Sequence, residues 1–200
     1  AGSALVGNTH SGIKSNVSSG TFRLRNCIVA ENTGIYASVA IQQFGTGVVY
    51  ANNNSVFNNE ATSPTLTSAG VALSGAINFA NNVVAGNTRA GQSADMMLIT
   101  SNSGIVFRNN HFGGQLIGEL QPTINDQTTY GDPGWDIVGI IPGPLAGSPL
   151  INSGRNSALG GVGSLDVRGA TRTQQGTVDR GAVETNFVVL VPDVFSNGFE

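Results

Sequence analysis

Four stretches of the chain share one order of apolar and polar positions. They are FRLRNCIVAENT (22–33), YANNNSVFNNEA (50–61), INFANNVVAGNT (77–88) and IVFRNNHFGG (105–114). Aligned on Asn26, Asn54, Asn81 and Asn109, they recur at steps of 28, 27 and 28 residues. Four residues before the anchor stand Phe22, Tyr50, Ile77 and Ile105, and two before it stand Leu24, Asn52, Phe79 and Phe107. Two after it stand Ile28, Val56, Val83 and His111. Alternation at period two marks a short strand with one buried face. Asn52 and His111 break their columns. His111 reads as a polar residue at the end of the regular stack rather than as a ligand. Upstream of the later anchors, SVAI (38–41), GVAL (70–73) and MMLI (96–99) predict a second strand in each unit.

Short strands, frequent turns and a fixed period near 27 residues predict an all-β solenoid, in which each repeat is one coil of a parallel β-helix. Successive coils then pair at about 4.8 Å, so equivalent residues stack. Right-handed winding follows from the usual handedness of parallel crossovers. Stacked amides at Asn26, Asn54, Asn81 and Asn109 can donate and accept between coils, forming a turn ladder, and Asn tolerates the left-handed backbone that sharp turns require. The expected division is coils over 1–114, a last coil with an irregular C-terminal cap over 115–185, and a strand or tail over 186–200.

Composition agrees with this picture. Only 10% of the 200 residues are charged, Gly numbers 28, and Lys14 is the single lysine. Such a chain is poor in helix formers and rich in turn formers. A net charge of −3 leaves no basic patch for nucleic acid. No apolar run approaches the roughly 20 residues of a membrane helix. The N-terminal stretch carries no signal-peptide pattern, so a leader is expected to have been removed or the chain to begin inside a longer one. The lone Cys27 excludes an internal disulfide framework and reads as a small packed residue rather than a catalytic thiol.

Two regions carry a family likeness. NSVFNNEA (54–61) and SAGVALSGAINFANN (68–82) resemble the repeats of polymorphic outer-membrane-protein-like β-helices. GPLAGSPLINSG (143–154), followed by LDVRGATRTQQGTVDRGAVE (165–184), resembles the ending of parallel β-helix proteins of the choice-of-anchor Q domain type. Matching positions include Gly147, Ser148, Pro149, Ile151, Gly154, Asp166, Arg168, Gly169, Arg172, Asp179, Gly181, Ala182 and Glu184. Asn152 stands where that ending usually has Asp, which weakens any metal role there. The resemblance implies a secreted or surface-anchored bacterial protein without an assigned activity. The last residues, DVFSNGFE, are similar to short tails on exported proteins.

The densest charge cluster is Asp166, Arg168, Arg172, Asp179, Arg180 and Glu184. It reads as an ion-pair network that fixes a cap over the last coil, with metal binding and catalysis as lesser alternatives. YGDPGWD (130–136) offers Asp132, Trp135 and Asp136 as ligand-binding candidates. Trp135 either stacks on a sugar or covers a core edge, the latter being preferred. The two acids leave Ca²⁺ open as a cofactor, although no EF-hand pattern is present; no metal site is assigned. Polysaccharide lyases and glycosidases on such scaffolds need carboxylates or a base, and the strand cores carry none, with only Asp95 adjoining one. Nucleotide-binding fingerprints are absent. The expected role is structural, adhesive or self-assembling at the cell surface, with possible partners being carbohydrate or further copies through an open first coil or the segment NFVVLV (186–191). A carbohydrate-active enzyme and a passive glycan-binding module are the alternatives.

Overall fold

The computed structural model describes residues 2–63, 70–99, 104–114, 116–118, 120–136 and 141–187. The C-terminal strand or tail expected over 186–200 therefore lies almost wholly outside the described residues. Among those described there is no helix. The chain is a parallel β-solenoid of about four turns with a coil period of about 27 residues.

Each full coil makes four strands. In the coil that begins at Cys27 they are Ile28–Ala30, Thr33–Gly34, Val39–Gln43 and Val48–Asn52. Parallel stacking of equivalent strands builds four sheets. The first sheet runs Ala4–Val6, Ile28–Ala30, Ser55–Phe57, Val83–Ala85, His111–Phe112 and Thr129–Tyr130. The second is short, built on Thr33–Gly34, Glu60–Ala61 and Thr88–Arg89. The third runs Ile13–Val17, Val39–Gln43, Val71–Ser74, Met96–Leu98 and Leu116–Ile117. The fourth runs Thr21–Arg25, Val48–Asn52, Ile77–Ala80, Val106–Arg108 and Ile124–Asp126.

The register corrects the sequence alignment by one residue in the second coil. Leu24 pairs with Ala51, and Asn52 with Arg25, so Asn53 rather than Asn54 is the equivalent of Asn26. The core columns become Phe22–Val49–Ile77–Ile105 and Leu24–Ala51–Phe79–Phe107, and the break at Asn52 disappears. The stack also does not end at His111. His111 pairs with Thr129 in a further coil shortened to 18 residues. Inside, Val29, Val56, Val84 and Phe112 from the first sheet meet Ile41, Leu73 and Leu98 from the third, with Phe79 and Phe107 from the fourth. Phe107 lies 5.4 Å from Phe112 and 5.7 Å from Phe79. Each fully buried ring contributes roughly 1.5–3 kcal/mol.

Two sharp corners bracket Ile28–Ala30, Ser55–Phe57 and Val83–Ala85 in the first sheet. Asn26, Asn53, Asn81, Asn109 and Gln127 hold the corner before it, with φ between 51° and 58°. Glu31, Asn58 and Gly86 hold the corner after it, also at positive φ. The residue that follows each corner points inward, and it is this residue that builds the ladder. Asn54 Oδ1 accepts the Cys27 amide at 3.1 Å. Asn82 Oδ1 accepts both the Asn54 amide and Asn54 Nδ2, and Asn110 Oδ1 does the same for Asn82. A second ladder runs Asn8, Asn32, Asn59 and Asn87, and ends on Asp95 Oδ1.

The C-terminal segment is not a lid on the last coil. Residues 150–185 lie along the outer side of the first sheet and reach back to the first coil. Asn26 Nδ2 donates to the Val162 and Leu165 carbonyls, 136 and 139 residues away. The physical reason is coverage: strands of the first sheet are apolar on both faces, with Ile28 and Val83 outward and Val29 and Val84 inward. A fold with one internal core leaves the outward row exposed unless another segment packs on it. Ile28, Ala30, Phe57 and Ala182 form that second cluster, joined by Val6, Trp135, Ile141 and Val167.

Candidate functional site

The segment over 150–185 acts as a clasp, and its polar chemistry is addressed to the corner column. Asn81 is bound on both sides: its Oδ1 accepts the Arg155 amide at 2.7 Å, and its Nδ2 donates to the Arg155 carbonyl at 3.0 Å. Asn52 Nδ2 donates to Leu159 and Gly161, Asn53 Nδ2 to Asp179, and Asn109 Nδ2 to Ser153. Each of these acceptors is a backbone carbonyl of the clasp. Gly181 also comes close to the coils, its amide bonding the Asn81 carbonyl at 2.7 Å. Its φ is 90°, and an added Cβ would stand 2.8 Å from Ser55 Oγ.

The six charged residues singled out in the sequence all lie in or beside this clasp. Only Arg172 and Glu184 form an ion pair among them, at 3.3 Å between Nη1 and Oε2, with both side chains buried. Arg172 Nη2 also donates to Asn26 Oδ1 and the Gly181 carbonyl. Burial pulls the Arg172 guanidinium down and pushes the Glu184 carboxyl up despite the pairing. Arg180 faces no carboxylate among the described residues. It donates to the carbonyls of Ser153, Asn110 and Gln127 and to Thr129 Oγ1, and burial lowers its pKa. Asp166 accepts amides of Arg168, Ala170 and Glu184, so its carboxylate staples a turn. Asp179 does the same for Asn152 and Thr185. Arg168 reaches the Ile141 carbonyl and is exposed. The spacing in sequence suggested charge pairing; the fold instead directs most of these groups to backbone partners.

Trp135 packs edge-on against Phe57, ring centroids 5.1 Å apart, on the outer face of the first sheet. Asp132 Oδ1 accepts the Gly134 amide and shapes the turn. Asp136 lines a cleft of about 480 Å³ with Arg168, Leu145 and Phe187. Asp132, Trp135 and Asp136 therefore serve different surroundings. Among the described residues, no three His, Cys, Asp or Glu side chains cluster as a metal-ion site. His111 is buried under the clasp. Its Nε2 faces the Gly131 carbonyl at 3.0 Å and so carries the proton, while Nδ1 faces Thr129 Oγ1. Burial, then the nearby Arg180, lowers its pKa.

A second concave surface escaped the sequence reading. On the outer face of the third sheet, a groove of about 260 Å³ is lined by Lys14, Asn16, Tyr36, Ala40, Gln42 and Ala72, among others. Register places Lys14, Ala40 and Ala72 in one outward row and Asn16 and Gln42 in the next. Tyr36 is 55% exposed, and Lys14 Nζ lies 5.5 Å from its ring centroid. The available signal was the alternation in IKSNV (13–17), which turns Lys14 and Asn16 outward when Ile13 and Val17 face in.

Comparison with family models, curated proteins and solved structures finds no match for the chain. No helix among the described residues is long and apolar enough to cross a membrane.

Proposed function

We propose that the chain is a rigid, non-catalytic β-solenoid module with a structural or adhesive role on an exported or cell-surface protein. The observation that carries this reading is the clasp. One segment binds the corner residues of five successive coils, from Asn26 to Gln127. Its buried carboxylates and guanidiniums are engaged in that task, bonded to amides, carbonyls and one another. A catalytic acid or base needs an open face toward substrate, whereas Asp166, Asp179 and Glu184 are all buried. The likeness of 143–184 to choice-of-anchor Q endings supports the exported setting. Self-association through open coil ends belongs to the same reading.

The test is incubation of the intact protein with a panel of acidic and neutral polysaccharides, with and without Ca²⁺. No new reducing ends and no unsaturated products are expected. Turnover of any member would replace this reading with that of a carbohydrate-active enzyme.

A further inference from the structure

We propose that the groove on the third sheet binds a uronate-bearing glycan, with Tyr36 as stacking platform and Lys14 as the carboxylate partner. The inference rests on the adhesive reading above and names its ligand class. The corner and ladder asparagines of the solenoid are turned to internal partners. Asn26, Asn32, Asn52, Asn53, Asn54, Asn59, Asn81, Asn82, Asn87, Asn109 and Asn110 all hydrogen-bond within the chain. At the groove the pattern reverses. Asn16 and Gln42 hold their amides outward with no hydrogen bond to the described chain, although Gln43 beside them is fully engaged with Gly45, Gly47 and Ala76.

Lys14 is the chain's one lysine. The ion pairs among the described residues are Arg155 with Asp126 and Arg172 with Glu184, so its ammonium meets no carboxylate among them. It lies instead over Tyr36, which leaves its outer side available. An exposed aromatic face accepts the apolar face of a pyranose, and amides one strand spacing apart, about 4.8 Å, match hydroxyls on one ring. The ammonium then selects a sugar that carries an anionic group. Ala40 and Ala72 beneath are small enough to let the ring sit close to the sheet. A peptide strand would pair through its backbone with the open edge of Ile13–Val17, whereas Lys14, Asn16, Gln42 and Tyr36 present side chains from the sheet face.

The experiment is retention and titration of the intact chain on alginate, on carboxyl-reduced alginate and on neutral dextran. Wild type is expected to bind alginate in a salt-sensitive manner and the two neutral polymers at least about tenfold more weakly. Lys14→Gln and Tyr36→Ala should each weaken alginate binding about tenfold, and Asn16→Ala with Gln42→Ala together by a similar factor. Leu159→Ala, an exposed apolar change on the clasp, should bind as wild type. Unchanged melting would show that the groove variants fold, since their side chains are exposed or only partly covered. Equal binding to reduced and native alginate, unchanged binding by K14Q and Y36A, or no retention on alginate would each overturn the proposal. Loss of binding in these variants together with cleavage of the polymer by wild type would support the site, while sinking the non-catalytic reading.

Discussion

Asn82 accepts the amide and Nδ2 of Asn54 and donates to the Ala51 carbonyl and Asn110 Oδ1, all at 2.8–3.1 Å and fully buried. Truncation removes these four bonds and leaves the Asn54 amide with no other acceptor, and a buried group left unpaired costs roughly 1–3 kcal/mol. Asn82→Ala should therefore destabilise by at least about 3 kcal/mol in denaturant unfolding, whereas Asn16→Ala should change little. Cys27 stands at the head of the same ladder, where the next coils have Asn54, Asn82 and Asn110, and contributes only its backbone amide to it. Cys27→Asn would add an Nδ2 donor toward Asn54 Oδ1 and should raise stability by about 1 kcal/mol, seen as a higher Tm. The repeat was readable because corner and ladder residues recur every 27 or 28 positions. Its register was not, because Asn52, Asn53 and Asn54 are chemically identical and face three different ways. Only the pairing of Leu24 with Ala51 separates them. The second ladder left a trace in the spacing of Asn32, Asn59 and Asn87, but Asp95 breaks that spacing and so hid its end. Asp95 completes it because its carboxylate only accepts, from the amide and Nδ2 of Asn87 and from the Gly114 amide.

At the scale of elements, the clasp turns a stack of coils that touch only their neighbours into a body tied lengthwise. Without it, a solenoid frays from its ends one coil at a time. Arg180 is the tie to the last coils, through Asn110, Gln127 and Thr129. Arg180→Met removes these bonds, but the Asn110 carbonyl keeps the Thr129 amide and Gln127 and Thr129 lie at the surface, so the cost should be about 1–2 kcal/mol. Hydrogen exchange should accelerate first in 124–130 and 150–185, while the amides of 71–85 stay protected. Uniform acceleration through the whole chain would instead mean that the clasp and coils unfold as one unit. Gly181→Ala should act at the middle of the clasp, because neither its φ nor the 2.8 Å space beside Ser55 accommodates a methyl group. These roles could not be read from spacing. The charged run of 166–184 announced a built structure, but its partners lie up to 146 residues away. Which face of which coil it meets is decided by the outward apolar row of Ile28 and Val83, a row that alternation alone places with the internal core columns.

Across the whole molecule the four sheets end up in different states. The first is buried on both faces beneath the clasp, while the third keeps an outward face with its own groove. His111 marks the boundary of the covered side, and its titration reports on the clasp as a body. The neutral ring is matched to its surroundings: Nε2–H meets the Gly131 carbonyl and Nδ1 meets Thr129. Burial is the main cause that opposes a charge on the ring and Arg180 adds to it, while the Gly131 carbonyl and Asp132 offset them only in part. The folded pKa therefore lies below the ordinary 6.5, so the unfolded chain binds the proton more readily. Stability from this group is present above about pH 6.5 and is lost as pH falls through the folded value. Asp95 and Glu184 act with the opposite sign: burial raises both, so protonation favours the folded state and their contribution is lost as pH rises. A bare melting profile mixes the two. The difference between wild type and His111→Gln separates them, because the carboxylates are common to both proteins and cancel. That variant keeps a neutral, hydrogen-bonding side chain at every pH. The wild-type advantage in Tm should therefore shrink as pH falls from about 7.5 to about 5.5. An advantage that stays constant or grows over that range would mean that the ring titrates as an exposed histidine does, and that the clasp does not seal the first sheet.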